Sequence, residues 1–205
     1  MDAPMATRPA TLDDVGLVTE TVTLAFLHDP VWGVALSRPD GATTHHTAFW
    51  RLYVEGALRY STVFMTEAAS AVSVWIPPDG TELSIAGEEA VERLVKATLE
   101  PAAARAMSDL WDRFKANHPH DPHAYLSLLA THPDHRGQGI GQRLLADDLA
   151  RWDSANLPAY LESTNSGNDH RYERAGFRQI GGFRSVLDGA PISTMWRVPR
   201  GSERA

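Results

Sequence analysis

The chain has 205 residues, a formal net charge of −7 and no cysteine, which excludes disulfides, thiolate metal sites and a cysteine acyl-enzyme. An acidic protein lacks the basic face that a general nucleic-acid binder needs, and its charge favours a cationic or amine ligand through steering. The length suits one domain, no apolar stretch approaches a membrane span, and the opening MDAPMATRPA lacks the basic and apolar regions of a signal peptide, so a cytoplasmic protein is expected.

Arg8-Pro9-Ala10 should end a first strand. Thr11 then caps a helix, with Asp14 three residues on and Leu12, Val15, Val18, Val22 and Phe26 as its buried stripe. Turns at His28-Asp29-Pro30 and Arg38-Pro39-Asp40-Gly41 lead to a second helix, roughly 43–60, which carries Phe49, Trp50, Tyr53 and Leu58. Residues 61–66 and 71–76 read as a hairpin terminated by Pro77-Pro78. Segments 88–99 and 102–117 have helix-forming compositions separated by Pro101. Strands follow near 124–130 and 159–163, then a short helix at 168–175 and two final strands near 183–187 and 192–198, joined by Asp188-Gly189-Ala190-Pro191.

The stretch from Thr131 to Gly141, THPDHRGQGIG, lies between two segments of different period. Before it, Ala124–Ala130 is a short apolar run that reads as a strand buried on both faces. After it, Leu144, Leu145, Leu149 and Trp152 mark the stripe of a helix packed on a sheet. Gly137, Gly139 and Gly141 allow a ligand to approach the main chain, the first helical turn offers unpaired N–H groups, and Arg136 adds a cation, so the segment suits a pyrophosphate. The plainer reading is a turn that merely joins strand to helix. A Walker loop does not fit, because Gly141-Gln142-Arg143 stands where Gly-Lys-Ser/Thr is needed, and evenly spaced glycines do not match G-x-G-x-x-G.

The segment resembles the acyl-CoA loop of the GNAT N-acetyltransferase superfamily, Arg/Gln-x-x-Gly-x-Gly/Ala, through Arg136, Gly139 and Gly141. A second stretch, YLESTNSGNDHRYERAGF (160–177), is similar to the other half of that site. The phrases YLSLLATHPDHRGQGIGQRLL, PAYLES, NDHRYERAGF and VWIPP are most similar to the puromycin N-acetyltransferase-like branch, which speaks of lineage rather than substrate.

The resemblance implies an α/β fold: a mixed, mostly antiparallel sheet of six or seven strands, flanked by helices and splayed at a central parallel pair. It implies one domain over 1–205, with an acceptor-side half (6–117), an acetyl-CoA-binding half (118–199) and a disordered tail (200–205). The expected acetyl-CoA contacts are Leu129, Ala130, Thr131, Arg136, Gly137, Gln138, Gly139, Ile140, Gly141, Gln142, Asn168 and Tyr172. Tyr172 matches the tyrosine whose hydroxyl serves the leaving thiolate; a core aromatic beside Phe177 is the bland alternative. Asn165 or Asn168 could hold the cofactor arm or cap the helix that carries Tyr172, capping being the safer role for Asn165.

Glu162, on the strand after the cofactor helix, is the expected general base, with Glu67 and His123 in reserve; an exposed or paired strand residue is the alternative. His118, His120 and His123 invite a metal reading, but His-Pro-His-Asp-Pro spells a turn, and no metal is expected. Trp32, Trp50 and Tyr53 border an acceptor pocket or belong to the core. The expected function is direct acetyl transfer from acetyl-CoA to the primary amine of a small molecule, by a monomer or homodimer without nucleic-acid or membrane partners. The alternatives are a catalytically silent acyl-CoA-binding module and an acetyltransferase of protein lysines or N-termini.

Overall fold

A computed structural model describes residues 6–201. Positions 1–5 of the opening segment and 202–205 of the expected tail lie outside the described residues. Seven strands, β1 (Thr7–Pro9), β2 (Val63–Thr66), β3 (Ala71–Ile76), β4 (Ala124–Thr131), β5 (Ala159–Ser163), β6 (Arg178–Arg184) and β7 (Pro191–Arg197), form one sheet. Its order is β1-β2-β3-β4-β5-β7-β6, and only the β4–β5 neighbours run parallel. The helices are α1 (Val15–Phe26), α2 (Trp32–Ala35), α3 (Thr44–Ala57), α4 (Ile85–Thr98), α5 (Pro101–Asn117), α6 (Ile140–Ser154) and α7 (Asp169–Arg174).

Strand alternation divides the core between the two sheet faces. Val72 and Val74 of β3 pack with Val18 and Val22 of α1, Phe49 and Trp50 of α3, and Leu110 of α5. Ala71 and Trp75, on the other side of the same strand, meet Leu144, Leu145 and Leu149 of α6. All six β3 residues are buried, as expected of a strand covered by helices on both faces. The expected α6 stripe is therefore present, with one interruption. Asp148 sits fully buried among the leucines, where Ser73 Oγ (2.6 Å) and Trp75 Nε1 (3.0 Å) donate to Oδ2 and Arg151 Nη1 (2.6 Å) donates to Oδ1. These partners offset part of the cost of burying a carboxylate.

Three local expectations are corrected. Leu12 is not in the buried stripe but 76% exposed, because the chain makes a 3₁₀ turn at Leu12–Asp14 before α1 begins. The expected cap remains, with Asp14 accepting from the Thr11 N–H at 2.8 Å. Trp32–Ala35 forms a short helix in a segment expected to hold only turns; Asp29 caps it by accepting from the N–H groups of Val31 and Trp32. The penultimate strand starts at Arg178 rather than near Phe183. It is an exposed edge strand without apolar periodicity, and Gly182 lets it approach β7 so closely that a Cβ would stand 2.7 Å from the Ile192 carbonyl oxygen.

Candidate active site

The sheet opens at its parallel pair. β4 and β5 match only at Ala124↔Ala159 and Tyr125↔Tyr160 and then part. At the point of parting β4 carries an extra residue, since Val74 and Trp75 of β3 match Leu128 and Leu126 and leave Ser127 as a bulge. The bulge reverses which edge each residue serves. The Ala124 N–H donates towards β5, to the Pro158 oxygen (2.8 Å), whereas the His132 N–H donates towards β3, to the Ser70 oxygen (3.0 Å). Alternation between these points turns the main-chain N–H and C=O groups of Leu129 and Thr131 into the gap.

The glycine segment follows directly. Gly137 and Gly139 adopt left-handed backbone angles (φ 78° and 71°), and Gly139 is the N-cap of α6. A Cβ at Gly141 would lie 2.5 Å from Thr131 Oγ1, so any side chain there would push aside the Thr131 hydroxyl where the helix start presses against the end of β4. The unpaired N–H groups of the first α6 turn and its partial positive charge suit an anion. Arg136 stands exposed beside it, with Nη2 donating to the Ala25 oxygen at the end of α1 (3.2 Å). The donor set and the space fit a pyrophosphate.

A cleft of about 1320 Å³ runs from this loop along the gap. Tyr172 reaches its wall from α7, packed edge-on to Phe177 with ring centroids 6.1 Å apart. The helix is held from behind: Arg197 Nε donates to the Ala175 oxygen (3.0 Å) while its guanidinium pairs with both oxygens of Asp153 (2.7 and 2.8 Å). Burial, reinforced by Asp29 and Asp169, pushes the Tyr172 phenol up to about 12. Asn165 is a cap, its Oδ1 accepting from the Gly167 N–H (3.1 Å). Asn168 lines the cleft without a capping bond from its side chain.

The other end of the cleft is acidic and aromatic. The side chain of Glu162, on β5, is 2% exposed, with Oε1 3.4 Å from His118 Nδ1 and Oε2 unpartnered among the described residues. The His118 ring stands edge-on to Tyr125 and Tyr160, with centroids 4.8 and 5.1 Å away. His118 Nε2 meets His123 Nε2 at 3.2 Å, and His123 Nδ1 meets the Asp121 carbonyl oxygen at 2.6 Å. A carbonyl only accepts, so His123 Nδ1 carries the hydrogen. Burial lowers the His123 pKa, leaving it neutral with Nε2 as acceptor for His118 Nε2–H. Glu82, from the loop between β3 and α4, enters the same end and accepts a hydrogen bond from Ser127 Oγ.

Most sequence-named residues converge on this cleft: Leu129, Thr131, Arg136, Gly137, Gly139, Ile140, Gly141, Gln142, Glu162, Asn168 and Tyr172 line it. Ala130 instead packs into the core of the α1 face, and the Gln138 carbonyl holds Arg143 Nη1 at 3.0 Å. Glu67 is exposed on the turn between β2 and β3, whereas His123 lines the cleft. Trp32, Trp50 and Tyr53 reach the cleft, but Trp50 and Tyr53 are also buried core residues. No group of three or more metal-ligating side chains converges among the described residues. Sequence reading missed Glu82, Trp111 and Phe114, which stand in no motif, and Ser127, which lies within the apolar run before the glycine segment.

A profile of the acetyltransferase (GNAT) domain matches residues 102–179, which span α5 through the start of β6. That stretch is a GNAT acetyltransferase domain, as its resemblance implies. The chain is similar over its length to a solved histone acetyltransferase HPA2 and related acetyltransferase from Corynebacterium glutamicum, with 27% identity, TM-score 0.67, and 96% and 97% of the two chains covered. It shares its fold with arylalkylamine N-acetyltransferase 2 from Aedes aegypti (14% identity, TM-score 0.65, 96% and 99% covered). The same holds for the polyamine N-acetyltransferase of Drosophila melanogaster (15%, 0.60, 95% and 99%).

Proposed function

We propose that this protein transfers an acetyl group directly from acetyl-CoA to the primary amine of a small molecule. The observation that carries the reading is the parting of β4 from β5 beyond Tyr125, which joins the anion site at α6 to an acidic, aromatic acceptor end in one cleft. In this reading residues 6–117 and 118–199 are the acceptor and acetyl-CoA halves of one domain. The pyrophosphate lies against Arg136–Gln142, and the pantetheine arm follows the free edge at Leu129 and Thr131 with Asn168 beside it. Tyr172 and Glu162 face the reacting groups. A phenol raised to about 12 holds its proton, so Tyr172 serves the leaving sulfur as a hydrogen-bond donor rather than by complete proton transfer to a thiolate of pKa about 8.5.

Glu162 meets the amine as a positive charge, and the stacked rings of Trp32 and Phe114, 5.5 Å apart, offer a flat apolar wall for the body behind it. Relatives of this fold include enzymes named for arylalkylamines and polyamines, and the branch resemblance adds aminonucleosides.

Calorimetry and a thiol-release assay test the proposal. Acetyl-CoA should bind the wild type, and Gly139→Asp should weaken binding by about 10 to 150-fold, the value of one charge-assisted hydrogen bond, before repulsion is counted. Undiminished affinity in a folded variant refutes the loop site. Turnover is expected with an aminonucleoside, a polyamine or an arylalkylamine; turnover confined to lysine peptides refutes the small-amine reading, and tight binding with no turnover favours the silent module.

A further inference from the structure

The loop that carries Glu82 is pinned from several sides. Arg59 Nη2 donates to the Thr81 oxygen (2.8 Å), the Thr81 N–H donates to the Tyr60 hydroxyl (3.0 Å), and Thr81 Oγ1 donates to the Leu83 oxygen (2.6 Å). Gly56 of α3 packs directly on the Glu82 backbone, leaving no room for a Cβ. The carboxylate itself accepts from Ser127 Oγ, the bulge residue where β4 leaves β5. Among the described residues no Lys, Arg or His forms an ion pair with Glu82, so its charge is available to a cation that enters the cleft. Glu162, by contrast, already has His118 Nδ1 3.4 Å from its Oε1.

Building on the acetyltransferase reading above, we infer that Glu82 is the catalytic base of this site, that Ser127 positions it, and that Glu162, tied to His118, binds the same acceptor cation from β5. The base role passes from Glu162, expected on sequence grounds, to a residue outside every motif. An amine arrives as an ammonium between the two carboxylates. One N–H bond breaks and its proton joins Glu82, leaving the nitrogen lone pair free for the thioester carbonyl carbon. The C–N bond forms, the C–S bond breaks with its electron pair on sulfur, and the second proton lost by nitrogen balances the one gained by sulfur. Glu82 returns its proton to solvent, one per turnover.

The surroundings set the working range. Burial pushes the Glu82 carboxyl up to about 7, opposed by the Ser127 hydrogen bond, reinforced by the charge of Glu162 and opposed by His118. Tyr53 from α3 and Tyr125 from β4 also face it, both held protonated by burial, and Glu88, Asp112 and Lys115 line the same cleft. A base poised near neutrality combines an ionised resting state with real affinity for a proton.

The test is the pH profile of kcat/KM for wild type and variants, with puromycin, spermidine and phenethylamine as acceptors. Wild type should show an acidic limb near pH 7 that is lost in Glu82→Gln, together with about 10²–10⁴-fold of the rate. Ser127→Ala, which keeps the carboxylate but removes a bond that favours ionisation, should move the limb to higher pH. Glu162→Gln, which removes a repelling charge, should move it to lower pH and raise KM for the amine. Opposite shifts in these two variants support the assignment even if Glu82→Gln fails to fold. A limb that vanishes in Glu162→Gln and stays put in Ser127→Ala makes Glu162 the base and overturns the inference. If wild type acetylates none of the three amines, the functional reading fails and Glu82 with it; a wild-type rate whose limb survives Glu82→Gln removes Glu82 alone.

Discussion

Replacing glycine by alanine inside a helix usually adds about 0.5–1 kcal/mol of stability, because alanine loses less conformational freedom on folding. Gly16, near the start of α1, meets nothing within 4 Å of a built Cβ, and Gly16→Ala should show that gain. Gly56, near the end of α3, should show the opposite sign. A Cβ there would stand 2.2 Å from the Glu82 carbonyl oxygen and 3.3 Å from its carbonyl carbon. Both are backbone atoms, so no rotamer change relieves the contact; the loop itself must retreat by about 1 Å. Overpacking of this kind costs about 1–3 kcal/mol, and the helix gain returns about 1, leaving a net loss of up to about 2 kcal/mol. In a chain of this size that lowers Tm by about 2–4 °C per kcal/mol. The retreat draws Glu82 away from Ser127, and a misplacement of about 1 Å at a reacting group costs about 10²-fold in rate. Acetyl-CoA affinity, set at the other end of the cleft, should hold. Urea unfolding, thiol-release kinetics and calorimetry on the two variants check each part. A Gly56→Ala protein as stabilised as Gly16→Ala, or one with unaltered kcat/KM, refutes the argument that α3 sets the position of Glu82.

Tyr172→Phe should lower kcat by about 10 to 150-fold, the value of one hydrogen bond of about 1.5–3 kcal/mol to a charged group, with acetyl-CoA affinity unchanged; an unaltered rate with chemistry shown to be limiting removes the donor role. Asp148 is buried and its carboxyl is pushed up to about 6, chiefly by desolvation, so the folded state holds the proton more tightly than the unfolded chain does. Its stabilising contribution is complete below the unfolded value near 4 and is lost as pH rises through about 6; relative to wild type, Asp148→Asn should gain up to about 3 kcal/mol between pH 4 and 7. A difference in unfolding free energy that stays flat across that range contradicts the buried carboxylate.

What the sequence discloses is local. The α6 stripe, the two hairpin strands, the break at Pro101 and the glycine segment each declare themselves through period or punctuation within a few residues. The loop shares that legibility because its chemistry is main-chain and needs only glycines in a row. The acceptor end does not. Glu82 meets Ser127 across 45 positions of sequence, and His118 meets Glu162 across 44. No short pattern encodes either meeting, so Glu82 passes for a loop carboxylate and His118 for part of a turn. Asp148 is hidden for a related reason: a carboxylate in a helix reads as solvent-facing until Ser73 and Trp75 arrive from another strand. β6 is placed too late in the sequence because an edge strand with both faces exposed has no alternation to mark where it starts.

The bulge at Ser127 joins these strands of argument. In the run AYLSLLAT both parities are apolar enough to be buried, so the sequence supports a strand covered on both faces and is silent about where the register slips. Without an extra residue, Leu126, Leu128 and Ala130 would share one face of the sheet. Instead Leu126 packs under α6 while Leu128 and Ala130 pack beneath α1 and α3. The same slip turns the main-chain groups of Leu129 and Thr131 away from β3 and into the gap. Ser127, the residue left over, has no partner on β3, and its hydroxyl is spent on Glu82. One inserted residue therefore frees the edge that suits the pantetheine arm and positions the carboxylate assigned to the amine. The two halves of the cleft are set to a common register by a feature that neither motif contains.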